Sequence, residues 1–190
     1  MKFDPGLTLY TLKPTEFIFV REPSAIRTIL GSCVTITMFC PRLGVAAACH
    51  PVLPVCHETE SCRPKACKKK YKYVECVIPS MYQYFERLKV RKGELEIKLF
   101  GGSDMFTPLP VRDEMLSVGS KNISMAKQKI AELEIELKNT EVGGKLARKI
   151  HFDTGSGDVW VKKFRSTVLS KNNMMVLEEQ IAMQVQHHGK

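Results

Sequence analysis

A Gly-Ser break inside a long β-type run constrains the fold of this chain more than any other feature. The run extends from Ile26 to Phe39 and is rich in β-branched residues, which favour strands, on both sides of Gly31 and Ser32. We therefore predict two strands that meet at a sharp corner. Cys33 follows the break directly, so a thiol lies at a strand edge where the backbone is constrained.

A histidine ends the next apolar segment. Leu43 to Cys49 is predicted to be a strand of small residues that Pro51 stops, and His50 comes directly after it. If the chain folds back here, the imidazole lies beside Cys33, and the pair predicts a nucleophile with a general base. The alternative is a core thiol and a structural or solvent-exposed histidine, and Cys49 is expected to belong to the core.

The mix of strands with two or three helices predicts one layered α+β domain. Residues 1–24 are predicted to be an irregular arm, with a short strand over residues 17–20. Residues 25–165 are predicted to be the catalytic domain and residues 166–190 a C-terminal extension, with a helix over residues 172–188. Three prolines interrupt the arm, namely Pro5, Pro14 and Pro23.

Periodicity predicts further elements in the middle of the chain. A helix is predicted over Val74 to Lys89, and a strand over Leu95 to Phe100 that ends in a tight Gly101-Gly102 turn near the corner. A second helix is predicted to begin at Asn122 or Ser124 and to end at Asn139. The segments K-I-H-F-D, T-G-S-G-D and V-W-V-K-K-F then predict a strand, a hairpin loop and a strand.

Length and composition favour a soluble cytoplasmic protein over a membrane or secreted one. At 190 residues the chain has room for one good core. Its apolar runs fall short of the ~20 residues of a membrane helix, and its first residues lack the features of a signal peptide. We therefore expect no membrane insertion, and we expect most of the seven cysteines to be reduced thiols.

Four of the cysteines, together with His57, raise the question of a zinc site. Five, four and eight residues separate Cys56, Cys62, Cys67 and Cys76, so none of them forms the C-x2-C pair of strong zinc sites. Free thiols in a loop over residues 55–72 are favoured instead. We predict no metal site and no cofactor.

The formal net charge of +9 is concentrated in residues 63–72. A basic surface suits a nucleic acid, an anionic membrane or an acidic protein, and it also keeps a protein soluble without any partner. No recognised nucleic-acid motif accompanies this charge, so a nucleic acid is not an expected partner.

Six segments of the chain match the pattern of one known family, in the family's order, over roughly residues 17 to 164. They are L-G-S-C-V (Leu30 to Val34), H-P-V-L-P (His50 to Pro54), Y-V-E-C-V-I-P (Tyr73 to Pro79), K-L-F-G-G-S-D-M-F (Lys98 to Phe106), V-G-S-K-N-I (Val118 to Ile123) and E-V-G-G-K-L-A-R-K-I-H-F (Glu141 to Phe152). On these residues the chain resembles the chemoreceptor glutamine deamidase family, CheD, of bacterial chemotaxis.

The resemblance implies a fold of mixed β-sheets flanked by two or three helices, similar to the cysteine deamidase toxins. It also implies a hydrolase that converts receptor glutamines to glutamates. Cys33 is implied as the nucleophile, forming a thioester that water hydrolyses, and His50 as the residue that holds and returns its proton. The implied substrate is the cytoplasmic domain of a methyl-accepting chemoreceptor, whose acidic surface fits a basic enzyme. A chemotaxis phosphatase is implied as a further binding partner.

The resemblance also implies a third catalytic residue, a threonine six residues before the cysteine. Arg27 occupies that position, and the adjacent Thr28 is the candidate hydroxyl. The backbone of the Gly31-Ser32-Cys33 corner is expected to offer N–H donors to an oxyanion, with Gly31 and Ser32 as the turn residues.

The alternative, which Arg27 suggests, is a non-catalytic chemotaxis protein that binds receptors or a phosphatase through the same fold. A lowered pKa of the Cys33 thiol, with fast alkylation near neutral pH, is the expectation that separates the enzyme from this alternative.

Overall fold

The computed structural model describes residues 6–56, 67, 69–104 and 117–165. Within these ranges the strands are β1 (Thr8–Thr11), β2 (Phe17–Val20), β3 (Ser24–Leu30), β4 (Val34–Cys40), β5 (Val45–Cys49), β6 (Glu96–Gly101), β7 (Leu137–Val142), β8 (Ala147–Asp153) and β9 (Val159–Phe164). The helices are α1 (Val74–Arg87) and α2 (Val118–Glu132), with short 3-10 helices at Lys70–Lys72 and Lys92–Glu94.

The strands form two mixed sheets. The four-stranded sheet has the order β1-β3-β8-β9, in which only β1 and β3 are parallel. The five-stranded sheet has the order β2-β5-β4-β6-β7, in which only β6 and β7 are parallel. Two mixed sheets with two helices confirm the predicted α+β class.

The five-stranded sheet is the middle of three layers. One of its faces packs against α1 and α2, in a core that contains Met38, Met81 and Ile130. Its other face packs against the four-stranded sheet, in a core that contains Phe39 and Phe152. All seven residues of β4 are buried because this central strand is covered on both sides.

The predicted corner is the point where the chain passes from one sheet to the other. β3 belongs to the four-stranded sheet and β4 to the five-stranded sheet, and residues 31–33 connect them. The corner therefore lies between two layers. Its backbone N–H and C=O groups are outside the hydrogen-bond ladders of both sheets.

The interpretation of residues 1–24 as an irregular arm is wrong where the structure describes them. β1 pairs with β3, and β2 pairs with β5 over the whole predicted short strand at residues 17–20. Pro14 lies in the connection between these strands and Pro23 directly before β3, so these two prolines border strands and do not exclude them. The predicted extension over residues 166–190, with its helix, lies outside the described residues.

The second helix begins and ends earlier than the sequence predicts. The Ser117 side chain caps α2 by accepting a hydrogen bond from the Ser120 N–H, so neither Asn122 nor Ser124 is the cap. Glu134 has a φ of 55° and follows the end of the helix. Leu137, predicted on the helix, instead begins the edge strand β7.

The other predicted elements are confirmed. α1 occupies most of the predicted helix at Val74 to Lys89, and β6 the predicted strand that ends in the glycine pair. β8 and β9 form the predicted hairpin.

The glycine pair lets β6 approach the corner more closely than any side chain allows. A Cβ on Gly101 would lie 2.3 Å from the Cys33 carbonyl oxygen, and a Cβ on Gly102 would lie 2.5 Å from the Ile123 side chain. On α2, a Cβ on Gly119 would lie 2.6 Å from the Gly102 carbonyl oxygen. The end of β6 therefore approaches the corner, and the start of α2 approaches the end of β6, because glycines lie at both contacts.

Replacing Gly101 by alanine is expected to cost more stability than the same change at Gly143. Both residues have a positive φ, 103° and 73°, but the space around Gly143 is open. The Gly143→Ala variant should lose about 1 kcal/mol of unfolding free energy, the usual strain of a left-handed alanine. Gly101→Ala should lose roughly 2 kcal/mol more, because its Cβ meets backbone. Urea unfolding measures both, and equal losses would refute the close contact.

Candidate active site

Cys33 and His50 lie at the same end of two neighbouring strands. β4 and β5 are antiparallel, with Ile36 opposite Cys49, so the start of β4 runs beside the residues that follow β5. The Val34 N–H donates to the Pro51 carbonyl over 3.4 Å. Cys33 and His50 each adjoin one end of this hydrogen bond, so the fold brings together the nucleophile and the base that the sequence predicts.

The connection between β1 and β2 holds the backbone of His50. The Thr15 N–H donates to the His50 carbonyl over 2.8 Å, and the His50 N–H donates to the Glu16 carbonyl over 3.0 Å. The imidazole is only 2% exposed. The predicted irregular arm is therefore part of the wall of the site.

Thr28 contacts the imidazole directly. Its Oγ1 lies 2.8 Å from His50 Nδ1 and 2.8 Å from the carbonyl oxygen of Leu12. Thr28 faces inward on β3 and is 5% exposed. The adjacent Arg27 belongs to the opposite face of the strand, where its Nε donates to Thr11 Oγ1. The hydroxyl beside His50 is thus that of Thr28.

These two contacts define the tautomer of His50. A hydroxyl has one proton, and a carbonyl oxygen can only accept, so the Thr28 proton is directed at Leu12. Thr28 Oγ1 then accepts the proton on His50 Nδ1. The lone pair of the neutral ring is left on Nε2, which is the arrangement that a general base needs.

Burial keeps both groups of the pair uncharged. It raises the pKa of the Cys33 thiol to about 11, although the residue's own backbone N–H opposes the change. Burial also lowers the pKa of His50 to about 4, against the effect of the Leu12 carbonyl. The expectation of a lowered thiol pKa is therefore wrong, because burial outweighs the hydrogen bond that favours the thiolate.

All three carbonyl groups of the corner accept hydrogen bonds from other segments. The Ser103 N–H donates to Gly31 over 2.8 Å, and the Gly102 N–H donates to Cys33 over 2.7 Å. Asn122 Nδ2 donates to the Ser32 carbonyl over 3.0 Å. The Gly102 bond confirms the predicted tight turn of β6 near the corner.

A buried arginine supports one of these segments. Arg148 on β8 is 2% exposed, and its guanidinium donates to Ser103 Oγ, to the Gly143 carbonyl at 2.7 Å and to Glu141 Oε1 at 3.1 Å. Ser103 in turn donates its backbone N–H to Gly31. The E-V-G-G-K-L-A-R segment thus contacts the corner through Ser103.

Sequence reasoning did not assign these supporting residues to the site. The Leu12 carbonyl leaves no mark in a sequence, since any residue has one. The sequence favours a helix cap for Asn122, and its place in V-G-S-K-N-I leaves a minor role in the site open through the resemblance. Ser103 lies in the matching K-L-F-G-G-S-D-M-F segment, which was used only for its glycines.

The other candidate residues lie away from the corner or outside the described ranges. Cys49 is fully buried, in the core beside the helices, as expected. Within the described ranges no three histidine, cysteine or acidic side chains come together in a metal-binding group. His57, Cys62 and half of the basic run at residues 63–72 lie outside those ranges.

The matched family model is that of CheD chemotactic sensory transduction, and it covers residues 53–163. The sequence is 37% identical to a protein of Oleidesulfovibrio alaskensis, over 84% of this chain and 74% of the other. It is 36% identical to a protein of Geobacter sulfurreducens, over 86% of this chain and 94% of the other. The chain therefore belongs to the CheD family.

The printed names of these relatives describe an enzyme. The Oleidesulfovibrio protein is named "Probable chemoreceptor glutamine deamidase CheD", and the Geobacter protein "Probable chemoreceptor glutamine deamidase CheD 2". An aligned segment that covers 84% of a 190-residue chain necessarily includes residues 33 to 50. The comparison with these enzymes thus includes the corner and His50.

Among solved structures, the fold is similar to the hypothetical protein YfiH of Bacillus licheniformis. The TM-score is 0.43 and the identity 10%, over 66% of this chain and 49% of that chain. This likeness is too distant to bear on function. In the part of the chain that the structure describes, no helix has the length and apolar character needed to cross a membrane.

The raised pKa predicts that Cys33 reacts slowly with iodoacetamide at neutral pH. Only the thiolate is alkylated, and with a pKa of about 11 the thiolate fraction grows about tenfold per pH unit. The rate constant should therefore rise about tenfold from pH 7 to 8 and again from pH 8 to 9. Mass spectrometry of the Cys33 peptide separates this thiol from the other cysteines. A rate that stays constant over this range would contradict the assignment.

Proposed function

We propose that this chain is a chemoreceptor glutamine deamidase in which Cys33 is the nucleophile and His50 the general base. The chain of contacts from the Leu12 carbonyl through Thr28 to His50 carries the proposal, because it leaves Nε2 ready to accept a proton. Membership of the CheD family supplies the reaction class.

The first half-reaction forms a thioester. His50 Nε2 takes the proton from Sγ as the sulfur attacks the carbonyl carbon of a glutamine side chain, and the new C–S bond places negative charge on the oxygen. The imidazolium then gives its proton to the amide nitrogen. The C–N bond breaks and ammonia leaves.

The second half-reaction hydrolyses the thioester. His50, neutral again, takes a proton from water, and the resulting hydroxide attacks the same carbon. The C–S bond breaks, the sulfur regains its proton from the imidazolium, and a glutamate side chain is released. The balance is one water consumed and one ammonia formed, with no metal or organic cofactor in either step.

A neutral Cys33 thiol and a neutral His50 imidazole before the substrate binds are consistent with proton transfer during the attack. A thiolate formed before the substrate arrives would need a charged thiolate–imidazolium pair in a buried site, which burial disfavours at both residues. Proton transfer is instead coupled to attack on the carbonyl. The enzyme therefore selects electrophiles whose developing charge the site stabilises.

The substrate class and location follow from the same proposal. We assign the cytoplasmic domain of a chemoreceptor as the substrate, and hence the cytoplasm as the location. The formal net charge of +9 favours an acidic surface on the substrate through long-range attraction. Docking of a chemotaxis phosphatase belongs to the same proposal as a regulatory contact.

The non-catalytic alternative depended on Arg27 in place of the expected threonine. Thr28 supplies a hydroxyl at hydrogen-bonding distance from His50, so the position of Arg27 gives no reason to regard the site as degraded. The raised pKa of the Cys33 thiol means that alkylation at neutral pH does not separate the enzyme from this alternative, because a thiol that loses its proton only during attack on a carbonyl also reacts slowly with iodoacetamide. We favour the deamidase on the contact between Thr28 and His50, and conversion of receptor glutamines is the measurement that separates the two.

Incubation with a receptor cytoplasmic fragment is expected to release ammonia and to convert specific glutamines to glutamates. Coupled ammonia detection and peptide mass spectrometry measure the two products, which should appear in equal amounts. Cys33→Ala should abolish both. Cys49→Ala is the matched control, because Cys49 lies in the core and should be dispensable for the chemistry. Activity that survives in Cys33→Ala would exclude the mechanism.

Removing the Thr28 hydroxyl is expected to lower kcat while KM changes little. Thr28→Val keeps the β-branched shape but leaves His50 Nδ1 without its acceptor, so kcat should fall by about 10- to 100-fold, at or below the usual contribution of general base catalysis. Thr28→Ser restores a hydroxyl and should recover most of the loss. Equal activity in the valine and serine variants would show that the third residue lies elsewhere.

A further inference from the structure

The corner is built so that its carbonyl groups point away from the reaction. The Gly31 carbonyl accepts from the Ser103 N–H, and the Cys33 carbonyl accepts from the Gly102 N–H directly after β6. The Ser32 carbonyl accepts from Asn122 on α2. In a trans peptide the C=O and the following N–H point in opposite directions. Fixing the Ser32 carbonyl therefore also fixes the direction of the Cys33 N–H.

The Cys33 N–H is available for an oxyanion. Within the described part of the chain neither it nor the Ser32 N–H donates to a backbone carbonyl. The Cys33 N–H also lies close enough to its own sulfur to oppose the rise in the thiol pKa. The carbonyl oxygen of an attacked carboxamide develops its negative charge close to Sγ. An N–H beside Sγ is therefore placed to donate a hydrogen bond to it.

Asn122 fixes this peptide group from the other side. It is fully buried on α2, and its Nδ2 donates to the Ser32 carbonyl and, over 3.2 Å, to the Val52 carbonyl. Two carbonyl acceptors determine the orientation of the side-chain amide, since only its NH2 end can donate. The same residue therefore joins the corner before Cys33 to the segment two residues after His50.

The Oδ1 of Asn122 is buried and lacks a hydrogen-bond donor among the described residues. A buried acceptor without a partner costs stability, and such groups call for a specific reason. The two hydrogen bonds of Nδ2 to the nucleophile and base segments provide that reason.

We propose that Asn122 is a positioning residue that, through the Ser32 carbonyl, aims the Cys33 N–H at the oxyanion formed during acyl transfer. This rests on the proposed function, because it assumes that Cys33 attacks a carbonyl carbon. It goes further by naming the oxyanion donor and the side chain that orients it. Asn122 itself does not touch the substrate.

The reaction of Cys33 with two different electrophiles distinguishes a positioning role of Asn122 from a purely structural one. p-Nitrophenyl acetate transfers its acetyl group to Sγ through a tetrahedral oxyanion and releases p-nitrophenolate. Iodoacetamide is attacked at a saturated carbon and releases iodide, with no oxyanion. Both reactions use the same Cys33 sulfur, but only the first develops an oxyanion, so the ratio of their rates measures stabilisation of the oxyanion.

The experiment compares the full-length chain with Asn122→Leu at pH 9, where both reactions are measurable. Leucine has a similar shape but no donor for Ser32. We expect the acetylation rate constant of Cys33 to fall about 10- to 100-fold, up to the usual loss for one oxyanion donor, and the alkylation rate constant to change less than about threefold. Cys33→Ala supplies the background from the other thiols.

Ser117→Ala is the matched control on the same helix. It removes the cap of α2 without touching the corner, so the ratio of the two rates should stay at the wild-type value. If Asn122→Leu does not fold, Asn122→Ser is measured in the same way, because its small side chain is too short to bridge both carbonyls.

Two results would overturn the proposal. An equal fall in both rates would show that Asn122 only supports the fold, and no fall in either rate would show that the Cys33 N–H does not need it. Failure of the proposed function is a different result. Wild-type protein would then acetylate at Cys33 but release no ammonia from a receptor fragment.

Discussion

The approach of β6 to the Cys33 carbonyl is the constraint on which the site depends. The hydrogen bond from Gly102 to this carbonyl requires that Gly101 have no side chain, because a Cβ would occupy the space of the oxygen. Gly119 allows α2 to come similarly close to the carbonyl of Gly102. Once these contacts form, Asn122 is within reach of Ser32, and the corner between the two sheets is held on all sides.

The sequence was sufficient for the parts of the site that residue types reveal. The break at Gly31 predicted the corner, and small residues followed by Pro51 predicted the strand that brings back His50. Thr28 could not be chosen over Arg27 with certainty, because the choice depends on which face of β3 turns inward. That face is decided by packing against the second sheet, which comes from distant parts of the chain.

Local sequence patterns were not sufficient to predict two other features of the fold. β1 and β2 are short and lie among prolines, so only their pairing with β3 and β5 makes them strands. The stripe from Ala126 to Leu137 suits a helix as well as a helix followed by a strand, and Glu134, at a φ of 55°, lies between the two. In both cases tertiary contacts outweigh local preference.

The orientation of His50 depends on the connection between β1 and β2. This connection supplies the carbonyl that accepts the Thr28 proton and the two backbone hydrogen bonds that hold His50. The neighbouring corner is supported by Ser103, whose side chain accepts a hydrogen bond from Arg148, more than a hundred residues later in the chain. In the proposed mechanism a partly folded chain therefore has the Cys33 thiol but lacks the contacts that orient His50.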